Sequence, residues 1–398
     1  MSVARGKATD FSCVTTKNMT MKGANFLEKL LDNQPVEWKK LGEVAEIGTG
    51  KSNRQDEVEE GEYPFYVRSK KVLRSSTYQF DETAIVIPGE GGIGDIFHYV
   101  VGKYALHQRA YRIKLFSEQQ VLPKFLFHFM TSAFKRFILS RSVGATATSI
   151  RKPMIEEFPI PIPPLSVQER IVEILDKFTS LEAELEAELD CRKRQYIYYR
   201  ELLLLKNPLC LSVPLGQLGE VRMCKRILKN QTTEVGDIPF YKIGTFGKQA
   251  DAFISRPLYE EFRSKYSYPS KGDMLISASG TIGRVIEFDG EDAYFQDSNI
   301  VWLEHDGTKV LNRYLYHCYQ IADWKVAKGG TITRLYNDNF KKTEIPIPSL
   351  SEQARIVEIL DKFDTLTNSI SEGLPLEIQL RKQQYEYYRE QLLDFRRF

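Results

Sequence analysis

Two glycine-bearing stretches are spaced for phosphate chemistry. Gly89-Glu90-Gly91-Gly92-Ile93-Gly94 matches G-x-G-x-x-G after the strand-like run Ala84-Ile85-Val86-Ile87. A dinucleotide turn of that spacing needs a helix N-terminus next to hold the pyrophosphate. Asp95 to Tyr104 (DIFHYVVGKY) is instead β-branched and aromatic, so a strand is expected and a structural or ligand-facing loop is the better reading. Gly48-Thr49-Gly50-Lys51-Ser52 ends like a P-loop, but the required first glycine falls on Ala45. The loop can touch a phosphate without cradling a nucleotide. An amino-methyltransferase needs an Asn/Asp-Pro-Pro-aromatic turn; Pro163-Pro164 is flanked by Ile162 and Leu165. Glu37-Trp38-Lys39 has the E-x-K form of a nuclease triplet, with no aspartate on a preceding strand-like run. The cysteines (Cys13, Cys191, Cys210, Cys224, Cys318) are odd in number and never spaced as C-x-x-C, and the five histidines are scattered. No metal site, no cofactor, no disulfide framework and no catalytic activity are expected, and a reducing compartment is.

The elements that would position any binding group are organised by a repeat. Ile160 to Phe178 reads IPIPPLSVQERIVEILDKF, and Ile345 to Phe363 reads IPIPSLSEQARIVEILDKF. RKRQYIYYRE from Arg192 returns as RKQQYEYYRE from Arg381. Fainter matches precede each block: LGEV at Leu41 and Leu218, GEYPFY at Gly61 with GDIPFY at Gly236, Gly91–Gly94 with Gly280–Gly283, and Gly144-Ala145-Thr146 with Gly329-Gly330-Thr331. Two diverged domains (about 35–160 and 212–345) thus alternate with two nearly identical helical segments. Phe26 to Leu31 (FLEKLL) resembles Tyr199 to Leu204 (YRELLL), so the N-terminal segment is expected to pack beside the C-terminal helix end and close a pseudo-twofold ring. Residues 1–20 have no counterpart and read as a disordered lead-in.

Proline before each block holds the chain extended. Ser166 and Ser351 are the expected helix caps, the first stronger because Glu169 completes a capping box where the second copy has Ala354. From Ser166 the apolar residues Ile171, Ile174, Leu175, Phe178, Leu181, Leu185 and Leu189, then Tyr196, Tyr199 and Leu203, form one stripe. About 40 residues at 1.5 Å each give a rod of roughly 60 Å. A matching stripe (Ile356, Ile359, Leu360, Phe363, Leu366, Ile370, Ile378, Tyr385, Tyr388, Leu392) predicts an antiparallel pair, with a break at Gly373-Leu374-Pro375. Within the domains, Pro123 to Leu139 and Leu311 to Lys325 read as helices and Met274 to Ser277 as a strand. The fold class is α+β.

Length and composition agree with this plan. The 398 residues suggest two or three domains. Lys+Arg 55 against Asp+Glu 53 leaves +2, which excludes a polybasic arm or acidic tail but not a local basic face. No apolar run reaches a membrane span and no signal-peptide core is present, so a cytoplasmic protein is expected.

The duplicated IPIPxLxxQxRIVEILDKF block, the QYxYYR block and the alternation with dissimilar domains resemble the specificity subunit of type I restriction–modification systems, over about Phe26 to Phe398. The LEAE unit repeated from Leu181 resembles that family's spacer repeats. The resemblance implies a non-catalytic DNA-recognition subunit. Two target-recognition domains (21–165 and 207–350) would each read half of a bipartite duplex site. Helical spacers (166–206 and 351–398) would hold them apart and dock two methyltransferase subunits, which restriction subunits join. A stand-alone DNA-binding regulator and a coiled-coil scaffold that never touches DNA are the alternatives.

Duplex reading calls for cations at phosphates and forked or amide side chains at base edges. The candidates in the first domain are Lys51, Arg54, Arg68, Lys70, Lys71, Arg74, Gln108, Arg109 and Arg151. In the second they are Lys225, Arg226, Lys229, Lys242, Lys248, Arg284, Gln296, Asn299 and Arg334. The clusters around Lys70-Lys71 and Lys225-Arg226 stand out. Tyr196, Tyr198 and Tyr199 and their copies Tyr385, Tyr387 and Tyr388 are expected to pack or to seat a subunit, not to stack on bases.

Overall fold

The computed structural model describes residues 26–141, 149–206, 211–326 and 333–395. The expected lead-in and the paired segments at Gly144 and Gly329 lie outside them. The chain divides into two compact units: Met1–Glu182 with Leu380–Phe398, and Ala183–Gln379.

In the first unit, alternation of apolar residues builds a six-stranded sheet in the order Ala45–Thr49, Ala110–Leu115, Phe80–Pro88, His98–Leu106, Tyr63–Tyr66, Leu73–Ser75. Tyr63–Tyr66 and His98–Leu106 pair in parallel, Phe65 with Ala105 and Tyr66 with Leu106. The helix Pro123–Arg141 lays Phe125, Phe129, Phe134 and Ile138 in one core with Ile85, Ile87 and Ile113 of the sheet. In the second unit the strands separate into a four-stranded sheet (Glu220–Arg222, Ile300–Glu304, Met274–Ser277, Val285–Glu287) and a three-stranded one (Phe253–Ile254, Ile238–Tyr241, Tyr294–Phe295). The parallel pairing recurs there, Phe240 with Tyr294. The second domain's helix is Asn312–Tyr319, shorter than the expected Leu311 to Lys325. The chain turns back after Tyr319 so that Trp324 can stack on Phe340 (5.5 Å) and donate its ring N–H to the Tyr319 carbonyl (3.3 Å).

Each proline-rich segment pairs as a two-stranded ribbon: Pro159–Ile162 with Glu37–Lys40, and Glu344–Ile347 with Leu211–Pro214. Alternate prolines remove every second N–H, so such a strand can pair along one edge only. The helices that follow begin earlier than their serines suggested. Leu165–Leu205 runs unbroken for 41 residues, and the Val167 and Gln168 N–H groups both donate to the Pro164 carbonyl, the first turn of its hydrogen-bond ladder. Leu350–Asn368 is capped by Ser349, whose hydroxyl accepts the Glu352 N–H. The expected order of cap strengths is therefore reversed: the Pro164/Ser349 difference, not Glu169/Ala354, decides which copy has a side-chain cap. The break in the second segment also comes sooner, with Ser369 to Glu372 non-helical and Gly373 (φ +74°) opening the helix Gly373–Leu393. A Cβ on Gly373 would meet the Thr365 carbonyl oxygen at 2.6 Å, so both conformation and space demand glycine.

The stripes pack as an antiparallel pair within each unit. In the first, Phe178 stacks on Tyr388 (5.4 Å) and Glu182 pairs with Lys382 (3.2 Å), while Ile171 and Leu175 share a core with Leu392, Leu393 and Phe395. The short helix Phe26–Leu31 joins that core through Leu27 and Leu31, with Phe26 edge-on to Tyr388. In the second, Tyr196 and Tyr199 stack on Phe363 (6.2 and 5.5 Å). Tyr198 and Tyr387 remain 58% and 60% exposed, leaving the same repeat position open in both copies.

Candidate nucleic-acid interface

The two glycine turns sit at the ends of equivalent strands, and backbone hydrogen bonds align them residue by residue. In the first domain the His107 N–H donates to the Tyr66 carbonyl, the Gly89 N–H to the Arg109 carbonyl and the Ile150 N–H to the Gly89 carbonyl; Glu90 bridges Ser149. In the second the Gln296 N–H donates to Tyr241, the Ala278 N–H to Asn299 and the Leu335 N–H to Ala278; Ser279 bridges Arg334. His107 thus corresponds to Gln296, Glu90 to Ser279 and Arg109 to Asn299. The chemistry on this common frame differs. Arg109 donates to the Glu90 carboxylate at 2.7 Å, and the Ser279 hydroxyl donates to the Asn299 side-chain oxygen at 2.8 Å. The turns are held open by left-handed glycines, Gly91 and Gly280, both at φ +67°. In the first domain a strand follows (His98–Leu106), as expected from the sequence, and no nucleotide-binding helix.

Around Glu90 the first domain gathers several of the expected cations. Arg68 pairs with the same carboxylate oxygen as Arg109, and both guanidiniums are well exposed. The hydrogen bond from Arg109, then the charges of both arginines, hold the Glu90 carboxyl below the usual carboxylate range. One carboxylate fixing two guanidiniums pre-orients donors that would otherwise sample many rotamers. Arg54, Arg68, Ser69, Glu90 and His107 line a groove of about 310 Å³. Gln108, between His107 and Arg109, donates to the Asn53 side chain at 2.6 Å. Lys51 precedes Ser52, which bridges His107. Exposed Lys70 and Lys71 follow Ser69, whose hydroxyl donates to the Lys71 carbonyl. Arg151 is exposed one residue beyond Ile150. Arg74 is apart, on the edge strand Leu73–Ser75 and outside the groove lining.

The second domain's candidates divide. Gln296, Asn299 and Arg334 lie on the common frame, and Arg226 reaches it through Asp297 (2.8 Å). Lys225 sits over the Tyr266 ring (5.0 Å), and Lys229 is exposed in the turn Lys229–Gln231. Arg284 donates to the Phe246 carbonyl (2.7 Å), and Lys242 pairs with Asp251 (2.8 Å). Lys248 borders an apolar cavity of about 180 Å³ walled by Phe246, Phe288 and Phe295. Gln296 also accepts the Ile243 N–H (2.9 Å), so it braces the turn it borders. Glu90 and Ser279 were missed from sequence. Each lies one residue past a matched position, and only the backbone alignment shows that they face Arg109 and Asn299.

Burial holds His98, His107, His128 and His317 below the ordinary imidazole range; at His107 the Arg68 and Arg109 charges add to it. Folded, these rings stay neutral where unfolded ones take up protons near pH 6.5. Their contribution to stability is therefore complete above about pH 6.5 and lost as pH falls through it toward the lower folded values. Melting temperature should fall between about pH 7.5 and about pH 5.5, above the range where carboxylates titrate. A level melting curve over that interval would mean that the rings charge as easily folded as unfolded.

Among the described residues no helix is long and apolar enough to cross a membrane. The family model described as the type I restriction modification DNA specificity domain matches residues 33–190 and again 212–380. A Haemophilus influenzae chain named as a type I restriction enzyme specificity subunit is 49% identical over 384 residues, covering 93% of this chain and 98% of its own length. The EcoR124I/EcoR124II specificity subunit of Escherichia coli is 29% identical over 405 residues, 94% and 98% of the two chains. The crystal structure of a type I S subunit from M. genitalium superposes with a TM-score of 0.57 at 15% identity, covering 91% of this chain and 96% of that one. A chain from a structure of type I restriction–modification complex assembly gives 0.54 at 16% identity, covering 90% and 97%. A twice-matched family model, a near-full-length relative at 49% identity and a shared fold place this chain in the family of type I restriction–modification specificity subunits, whose role is DNA recognition and not catalysis.

Proposed function

We propose that the chain reads a bipartite duplex site, one half with each domain (21–165 and 207–350). In the first half the readers are Arg54, Arg68, Gln108 and Arg109 at bases and groove edge, with Lys51, Lys70, Lys71 and Arg151 on phosphates. In the second they are Asn299, Arg334, Gln296 and Arg226, with Lys225 and Lys229 on phosphates. The observation that carries this is the common frame with different polar pairs, Arg109–Glu90 against Asn299–Ser279. An arginine fork suits guanine and an asparagine amide suits adenine, so one scaffold would read two different half-sites. The helical segments (166–206 and 351–398) set the distance between the halves. Their repeated exposed positions, Tyr198 and Tyr387, fit two copies of a methyltransferase subunit, to which restriction subunits add. The complex works in the cytoplasm, beside the chromosome.

The test is binding of the purified methyltransferase–specificity complex to its duplex. Arg109→Ala should weaken specific binding about tenfold to hundredfold and relax discrimination in one half-site; Asn299→Ala should do so in the other. Unchanged affinity and base preference in both variants would place the readers elsewhere.

A further inference from the structure

We propose that Gln168 and Gln353, with the pairs His128–Asp176 and His317–Asp361, are positioning residues that fix each recognition domain's angle on its helix and thereby limit the spacer length the subunit accepts. The proposal rests on the bipartite reading above and adds the joints on which that reading's distance selectivity would depend.

Gln168 lies in the first turns of Leu165–Leu205 and is wholly buried. Its side-chain nitrogen donates to the Gln120 and Pro163 carbonyls (both 2.8 Å), and its oxygen accepts the Leu122 N–H (2.9 Å). Gln353, also wholly buried, repeats this in the other unit: it donates to the Lys309 and Pro348 carbonyls (2.8 and 2.9 Å) and accepts the Leu311 N–H (2.9 Å). Every partner is backbone. The lock therefore ignores which side chains a domain carries, as a socket for diverged domains must.

Two helical turns further along, a second contact repeats. Asp176 takes His128 (2.8 Å) and Lys124 (3.3 Å) from the domain helix Pro123–Arg141. Asp361 takes His317 (2.7 Å) and Arg313 (2.8 Å) from Asn312–Tyr319. The imidazoles are buried in both copies. Apolar packing resists separation but is non-directional and tolerates pivoting. Hydrogen bonds have preferred directions. One directional contact is a hinge, whereas two, spaced along the helix, set an angle. An angle matters here because each base pair added to a spacer turns the second half-site by about 34–36°. A domain that cannot pivot rejects that rotation.

The experiment expresses the full chain with its methyltransferase partner and sequences the methylated genomic sites. Wild type should methylate one spacer length. Gln168→Leu keeps the volume and removes all three hydrogen bonds. It should leave the half-site bases unchanged and raise methylation at spacers one base pair longer or shorter about tenfold. Gln353→Leu should do the same through the other joint. Asp176→Ala should also broaden the spacer, and Asp176→Asn, which keeps an acceptor for His128, should restore it. If Gln168→Leu gives no soluble complex, the Asp176 pair decides alone. A uniform drop at all sites with an unchanged spacer distribution would overturn the proposal, because lost stability alone does that. Wild-type methylation of an undivided site would instead overturn the bipartite reading.

Discussion

Exchanging residues 212–345 for the equivalent domain of a relative should replace one half of the recognised sequence and leave the other half intact. The effect is all or none at each site, because a mismatched half-site of several base pairs costs about 1–3 kcal/mol per position. The structure gives the exchange a physical basis. The second domain's entry and exit strands, Leu211–Pro214 and Glu344–Ile347, pair with each other through backbone in a ribbon beside the helix Leu350–Asn368. Gln353 holds the domain by the Lys309 and Leu311 backbone. Neither contact reads the domain's side chains, although the Asp361 contacts do need His317 and Arg313 or equivalents. Sequencing the methylated sites of the hybrid measures the outcome. If both halves change together, the domains do not read independently.

Inserting one Leu-Glu-Ala-Glu unit after Leu189 should lengthen the spacer between half-sites by one base pair and keep the bases of both halves. Four residues add roughly 6 Å, against about 3.4 Å of DNA per base pair, which alone allows one or two. Rotation decides between them. Four residues at 3.6 per turn rotate the helix by about 40°, close to the 34–36° that one base pair turns the DNA. The insertion point is well suited, since Glu184, Glu186 and Asp190 are exposed and Leu185 and Leu189 only half-buried. A change of about 40° moves such a stripe without burying a charge. Methylation of the old site should drop to background while the longer one appears. An unchanged spacer, or altered half-site bases, would remove these helices as the ruler.

The repeat, the family, the long helices and their apolar stripes were legible in the residues themselves. Periodicity and duplication are local, and a nineteen-residue block repeated with three differences carries its meaning wherever it folds. The glycine turns were also legible as loops, because β-branched and aromatic residues follow the first of them. Local rules failed where two near-equal signals competed. Ser166 and Ser351 looked like caps, yet backbone already turned by Pro164 and Ser349 started the helices sooner. The helix predicted to reach Lys325 stopped at Tyr319 because burying Trp324 against Phe340 outweighed continuing it.

The candidate site depended on tertiary structure almost entirely. Basic residues are common on surfaces, so composition could nominate Arg74, Arg109 and Arg284 alike. Only strand pairing separated them, setting Arg109 opposite Glu90, leaving Arg74 on an outer edge and tying Arg284 to a backbone carbonyl. The same pairing matched Arg109 to Asn299 although their surrounding sequences had drifted apart. Gln168 and Gln353 show the remaining divide. Their identity was visible in the duplicated block, but their buried hydrogen bonds to chain more than forty residues away were not. Sequence therefore determined which elements form and how often they repeat, since those follow from short-range patterns; which polar groups face one another was decided only when the strands and helices packed.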